Sequence, residues 1–394
     1  MVGFAAVAGQ YASARDFVLV NVGDVVPISR VEWVVYDTGR RSAADASEHR
    51  CVLRIRTSCG IAGWADVPIW MMPDQSTIEQ IRTALLGRDA YEHSGIWRQF
   101  YEQGLPLGPL GAVDIALWDL RGRIEGKPVH ALLGARRQKV KAYLTTSFNL
   151  GDPQQYAEQA IASRQAGLHG IKIHPYIEWG TGRNGLSDAG FPDRDMAVYR
   201  TVRDAVGADY ACMADNSRTY TYNEALRVGR LLDDLAYEWY ESPMPETDDW
   251  RKRYIALASE LKTPVCGPET HPDSYPARIS WIASKACDIG RIDASFGGFT
   301  ACLELARACE AAGVPLELRD IGRDAYPHLQ LIAASSDSRI KYCEVSSLSR
   351  DSRIQPGRAT AEPIFDNDGY IPIPQTPGMG VELDWDYIHT HRVS

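Results

Sequence analysis

The chain has 394 residues, of which 45% are hydrophobic and 24% charged, and a formal net charge of −9. The acidic balance and the lack of a basic run argue against a nucleic-acid partner, and no apolar run approaches the roughly 20 residues that cross a bilayer. The length exceeds one ordinary domain and fits a (β/α)8 barrel of about 250 residues with a smaller domain attached.

In chain order, MVGFAAVAGQYASARDFVLVNVGD comes first. It lacks a basic leader, and Gln10, Tyr11, Arg15 and Asp16 interrupt its apolar residues, so residues 1–29 read as an extension lying on the body of the protein rather than a signal peptide. RVEWVVYDTG and HRCVLRIRTSCGIAGW follow as β-rich runs, separated by a polar, Ala/Ser-rich loop from Arg40 to Ser47. GAVDIALWDLRGRIEG then shows helical spacing, with Val113, Leu117 and Leu120 in one stripe and Gly122 and Gly126 closing the segment. Strands followed by helices predict a small α+β domain over residues 30–138.

Beyond Lys139 short apolar runs alternate with helical segments. The runs KAYLTTS, GIKIH, DYACMAD, LAYEWYE, TPVCGPE, CDIGRID, VPLELR and RIKYCEV predict eight parallel strands of a barrel domain over 139–355, with 356–394 as a C-terminal segment. A doubly wound open sheet is the alternative, but no GxGxxG follows a strand. The eight cysteines are scattered without metal spacing and read as thiols of a reducing cytoplasm.

The ends of these runs carry the chemistry. Lys172 and His174 lie two apart on one strand and share a face. Asp215, Glu241, Glu269, Asp293 and Arg319 end the next five runs, and from Asp215 onward each lies about 26 residues after the last, the length of one strand-helix unit. In a barrel all of these converge on one mouth. Three neighbouring carboxylates repel one another unless a cation sits among them, and hard oxygen ligands suit Mg2+.

In this ordered set the chain resembles the enolase superfamily, in the mandelate racemase and muconate lactonizing enzyme branch. AVDIALWDLRGRIEGKPVHALLG is similar to the family's junction between capping domain and barrel. KIH resembles its Lys-x-Lys/His motif, ADNS, YESP and GPET its metal-ligand segments, IDASFGGFT its sixth-strand segment, and DGYIPIPQTPGMGVELDWD its C-terminal tail. The resemblance implies a modified TIM barrel with an N-terminal α+β capping domain completed by the C-terminal tail. It further implies Mg2+ on Asp215, Glu241 and Glu269, and abstraction of the proton α to a substrate carboxylate through an enediolate. Lys172 is expected against that carboxylate and His174 as the proton-transfer group on one face.

One position departs from the family pattern. Where a histidine on the seventh strand works with the sixth-strand aspartate, this chain has Arg319, a poor general base. Arg319 is expected to pair with Asp293 and bind an anionic or hydroxylated substrate, while His328 lies further on, at the start of the next helix. Two-base racemisation is thereby disfavoured, and dehydration of a sugar acid is the first reading. A cycloisomerase or epimerase of a related carboxylate or lactone is the runner-up, and a non-catalytic binding protein with a decayed site is the third. Asp37 to Arg50 and DVPIWMM, with Trp70 and Met72, are expected as lid segments, and Arg218, Tyr220 and His271 as further substrate contacts. A small-molecule carboxylate is the expected ligand, without nucleic acid or membrane, in a homo-oligomer.

Overall fold

The computed structural model describes residues 25–41, 47–135, 137–178, 189–271, 275–319, 326–350, 354–360 and 364–393. Most of the N-terminal extension and the centre of the Asp37–Arg50 segment lie outside the described residues.

Strands β1 (Ile28–Arg41), β2 (Ser47–Thr57) and β3 (Ala62–Val67) form an antiparallel meander. The second β-rich run of the sequence is therefore two strands. Gly60, at φ 92°, donates its N–H to Thr57 and lets the chain reverse between them. Helices α1 (Gln75–Leu85), α2 (His93–Glu102) and α3 (Leu107–Ile124) cover the sheet.

Helix α3 differs from the amphipathic stripe expected of it. It is buried nearly all round from Pro109 to Leu120, because β3 covers one side and the barrel another. Gly122 lies inside the helix rather than at its end: a Cβ there would come within 2.7 Å of the Gly378 Cα, so the glycine admits the C-terminal chain. Gly63 serves the same purpose on β3, where a Cβ would stand 2.3 Å from the Ala116 carbonyl oxygen.

The barrel strands, in order, are Lys139–Thr145, Gly170–Ile173, Ala211–Asp215, Trp239–Glu241, Val265–Cys266, Gly290–Ile292, Leu316–Leu318 and Tyr342–Val345. Parallel ladders join the first five in sequence, the sixth to the seventh, and the eighth back to the first. A bridge between Cys266 and Ile289 links the fifth to the sixth. All eight runs singled out in the sequence are strands of this barrel. A helix follows each of the first seven strands, whereas the eighth leads into Tyr370–Pro372, which pairs antiparallel with the first.

From there the chain returns to the N-terminal sheet. Met379 donates its N–H to the buried Asp119 at 2.7 Å, Arg123 forks onto Glu382, and Val393 donates to the Val35 carbonyl. The tail and α3 thus hold the small domain against the barrel. Nearby, Trp97 of α2 donates to the Gly297 carbonyl at 2.6 Å and Trp118 of α3 to Thr300 Oγ1 at 3.1 Å, which docks the domain on the loop and the start of the helix after the sixth strand.

Asp114 completes this junction, accepting from the N–H and hydroxyl of Thr300 at 2.7 and 2.6 Å. Burial pushes its carboxyl up to about 7 in spite of those bonds. A folded-state value above the unfolded one means that the associated stability is present below about pH 4 and is lost as pH rises to 7. Asp114→Asn should therefore flatten the pH profile. Between pH 5 and 8 the wild type should lose about 2–4 °C more in Tm than the variant, and equal losses in calorimetry would remove Asp114 from the account.

Candidate active site

Alternation along the strands delivers the expected side chains to one mouth. Lys172 pairs in register with Met213, and Asp215 with Glu241, so the ends of strands two, three and four lie side by side. Lys172 is only 1% exposed. Its ammonium lies 3.1 and 3.2 Å from the two oxygens of Glu241, 3.0 Å from Glu344 Oε1 and 3.5 Å from Asp215 Oδ2. Burial works against its charge, and Arg291 repels it. The three carboxylates outweigh both and hold its pKa above the ordinary lysine value.

His174 stands beside it with Nε2 2.8 Å from Asp215 Oδ2 and Nδ1 2.8 Å from the Thr146 carbonyl oxygen. Both partners are acceptors, an arrangement that suits a doubly protonated ring, and Thr145 Oγ1 also lies 3.1 Å from Nδ1. Burial opposes this, but the Asp215 carboxylate raises the His174 pKa above its usual value. Asp215 in turn is held far below the usual carboxylate range: burial alone would raise it, and His174 and Lys172 reverse that.

At the opposite side Arg319 Nη1 donates to Asp293 Oδ2 at 3.2 Å, and its Nε lies 3.6 Å from Glu269 Oε1. Its side chain is 48% exposed, so it faces the open mouth while anchored at its root. Arg218 is also at the rim, donating to Thr270 Oγ1 at 2.9 Å next to Glu269. Ser217 and Arg218 both have positive φ, 46° and 68°, and this sharp turn swings the arginine across toward the fifth strand. Trp70 is 72% exposed on the Ile69–Met71 turn, with its ring 6.3 Å from that of Phe296. Met72, Leu107 and Phe296 line a cavity of about 510 Å³ beside it.

Three expected substrate contacts are corrected. The Tyr220 hydroxyl donates to Asp195 and accepts from Asn216 Nδ2 at 2.7 Å in a buried network, because the same turn that carries Arg218 outward sends Tyr220 inward. His328 is buried, and its Nε2 accepts the Ala294 N–H at 2.8 Å; it lies 3.8 Å from Asp293 but supports the end of the sixth strand. His271 packs edge-on against Trp281 and lies 3.7 Å from Asp248, between the helices Asp248–Glu260 and Tyr275–Ala283.

Sequence reasoning missed Glu344, Arg291, Glu317 and Glu246. Glu344 ends the eighth run as Lys172 ends the second, and that position was its signal. Glu246 accepts from Ser242 Oγ at 2.7 Å and from the N–H and hydroxyl of Thr270 at 2.7 and 2.8 Å, tying the loops that carry Glu241 and Glu269.

Among the described residues no three His, Cys, Asp or Glu side chains converge into a ready coordination shell. Cations of the protein hold the carboxylates instead, His174 on Asp215, Lys172 and Arg291 on Glu241, and Arg319 near Glu269. The donor chemistry nonetheless fits a hard divalent ion. Burial first, and then the repulsion of Asp215 and Glu269, push Glu241 up to about 8; burial and Asp215 raise Glu269 too. These are carboxylates short of positive charge.

Comparison with known proteins agrees with this architecture. Residues 37–134 match the model of the mandelate racemase / muconate lactonizing enzyme N-terminal domain, and 155–387 that of the enolase C-terminal domain-like family. The chain is an enzyme of the enolase superfamily, and it belongs to the mandelate racemase and muconate lactonizing enzyme branch. It is 28% identical to D-galactarolactone cycloisomerase of Agrobacterium fabrum over 91% of this chain and 95% of that protein. It is 27% identical to arabinonate dehydratase of Saccharolobus solfataricus over 84% and 87%. The crystal structure of D-glucarate dehydratase from Agrobacterium tumefaciens, complexed with magnesium, superposes with a TM-score of 0.83 at 27% identity, covering 94% of this chain and all of that one. Among the described residues no helix is long and apolar enough to cross a membrane.

The correction to Tyr220 has a measurable consequence. Tyr220→Phe removes two buried hydrogen bonds and leaves Asp195 short of a donor and Asn216 Nδ2 short of an acceptor, which should cost about 1–3 kcal/mol in urea unfolding while leaving turnover within about threefold. A loss of turnover of tenfold or more without a loss of stability would return Tyr220 to the site.

Proposed function

We propose that the enzyme removes the proton α to the carboxylate of a sugar acid and expels the β-hydroxyl, giving a 2-keto-3-deoxy acid. The observation that carries this reading is the asymmetry of the mouth: Lys172 and His174 share one side, and the opposite side presents an arginine bound to Asp293. One proton-transfer group on one face suits a syn elimination and not a two-base racemisation. Neutral His174 takes the α proton, and the C–H electron pair passes into the enediolate. The resulting imidazolium, which the neighbouring Asp215 carboxylate favours, gives the proton to the departing hydroxyl, so the C–O bond breaks and water leaves. Lys172 lies where it offsets the charge of the enediolate, and Arg319 where it meets a distal carboxylate or hydroxyl.

Asp215, Glu241 and Glu269 would hold Mg2+, which when bound supplies electrostatic stabilisation to the substrate carboxylate. The magnesium in the glucarate dehydratase structure supports this choice of ion. Cycloisomerisation of a sugar lactone is the second reading, favoured by the likeness to the galactarolactone enzyme over nearly the whole of both chains. The proposed setting is the cytoplasm, with eight free thiols in support, and the assembly a homo-oligomer.

Incubation with Mg2+ and a panel of aldonates, aldarates and their lactones in D2O, followed by proton NMR, decides between the readings. Loss of the α-proton signal together with a 2-keto-3-deoxy product is expected. A ring-opened or ring-shifted isomer without loss of water would favour cycloisomerisation, and no exchange on any member would defeat both. His174→Ala should abolish exchange and turnover by at least about 10²- to 10⁴-fold. Arg319→Ala should chiefly raise KM, about tenfold, with kcat within about fivefold; the reverse pattern would make Arg319 a catalytic group.

A further inference from the structure

The barrel interior one step below the mouth is apolar on most strands, where Tyr143, Met213, Trp239, Cys266 and Tyr342 pack together. Two residues break this layer. Arg291 on the sixth strand and Glu317 on the seventh are register partners, 1% and 3% exposed. Placing a guanidinium in such a layer is expensive unless its donors are used. Both Nη groups are used, upward and across the barrel. Arg291 Nη2 donates to Glu344 Oε2 at 2.7 Å, Nε lies 3.0 Å from Glu241 Oε1 as an ion contact, and Nη1 is fixed on the Leu318 carbonyl at 3.0 Å.

Glu241 and Glu344 are the same two carboxylates that flank Lys172. Each offers one oxygen to Arg291 that it also, or through its other oxygen, offers to the lysine. Four strands are joined in this way: Lys172 from the second, Glu241 from the fourth, Arg291 from the sixth and Glu344 from the eighth. Two cations face two carboxylates in alternation, an arrangement that fixes all four heads without a net buried charge.

We propose that Arg291 is a positioning residue: by clamping Glu241 and Glu344 from beneath, it sets the place of the Lys172 ammonium at the mouth. The proposal rests on the functional reading only for its kinetic consequence; the placement of Lys172 is a structural claim. A planar guanidinium that donates from both Nη atoms in fixed directions while its Nε edge faces Glu241 is required, so lysine cannot replace it. The competing explanation is that Arg291 merely neutralises its register partner Glu317.

The test uses Arg291→Lys and the double variant Arg291→Met/Glu317→Met. The double variant removes the buried acid together with the arginine and leaves Lys172 as the remaining cation of Glu241 and Glu344, while Arg291→Lys retains a positive charge in the layer should the double variant not fold. Crystal structures of wild type and double variant are compared, together with kcat and KM for whichever acid of the substrate panel the wild type turns over with Mg2+. The expected result is that Glu241 or Glu344 moves away from Lys172 by about 1 Å or more. In both variants kcat should fall at least about 30-fold, with KM within about threefold, since a misplaced charge of this kind costs transition-state stabilisation. Unchanged positions of Glu241, Glu344 and Lys172 in the double variant, or wild-type kcat in either variant, would overturn the proposal in favour of simple neutralisation. Should no acid be turned over by the wild type, the functional reading fails, and the crystal structures still decide the placement.

Discussion

An ammonium group buried among carboxylates is the constraint on which the rest of the site depends. Lys172 is withdrawn from water and survives as a cation because Glu241, Glu344 and Asp215 surround it. A buried charge without such partners is neutralised rather than tolerated. Each carboxylate is in turn tied to a second cation, Glu241 and Glu344 to Arg291 and Asp215 to His174. Removing any one member leaves its partners with charge they cannot satisfy, so the mouth behaves as one electrostatic unit.

The fold exists in large part to hold those heads still. Strand ladders fix the Cα positions, and the small domain is pressed onto the barrel by α3 and the C-terminal tail, with Gly63 and Gly122 permitting the close approach. Asp114, Trp97 and Trp118 fasten it to the loop carrying Phe296 and to the helix that follows, which brings Trp70 beside Phe296. Exposed apolar side chains at such a rim are suited to closing over a ligand. Lys172 and His174 therefore sit on and just past the end of a strand, whereas Trp70 and Arg218 sit on turns.

Much of this was legible in the sequence. Each barrel strand announces itself as a short apolar run, and its last polar residue marks the mouth, which is why Lys172, His174, Asp215 and Glu241 could be picked from the chain alone. The eighth strand followed the same rule, and Glu344 was overlooked only because no motif drew attention to it. Arg291 and Glu317 were harder. A charged residue inside a run reads as a break in the pattern, and only the register of the sixth and seventh strands shows them side by side within the barrel. Tyr220 and His328 were misread for another reason: their distance along the chain from Asp215 and Asp293 says nothing of direction once two left-handed residues or a loop intervene.

The central claim is that Asp215, Glu241 and Glu269, together with the cations that face them, form one electrostatic unit and the proposed Mg2+ site. A crystal structure of the protein soaked in Mg2+ tests it most directly. The account predicts one ion with oxygens of Asp215, Glu241 and Glu269 at about 2.1 Å, and His174 Nε2 drawn off Asp215. An ion bound elsewhere, or carboxylates that keep their grip on Lys172 and His174 with no ion between them at saturating Mg2+, would contradict it.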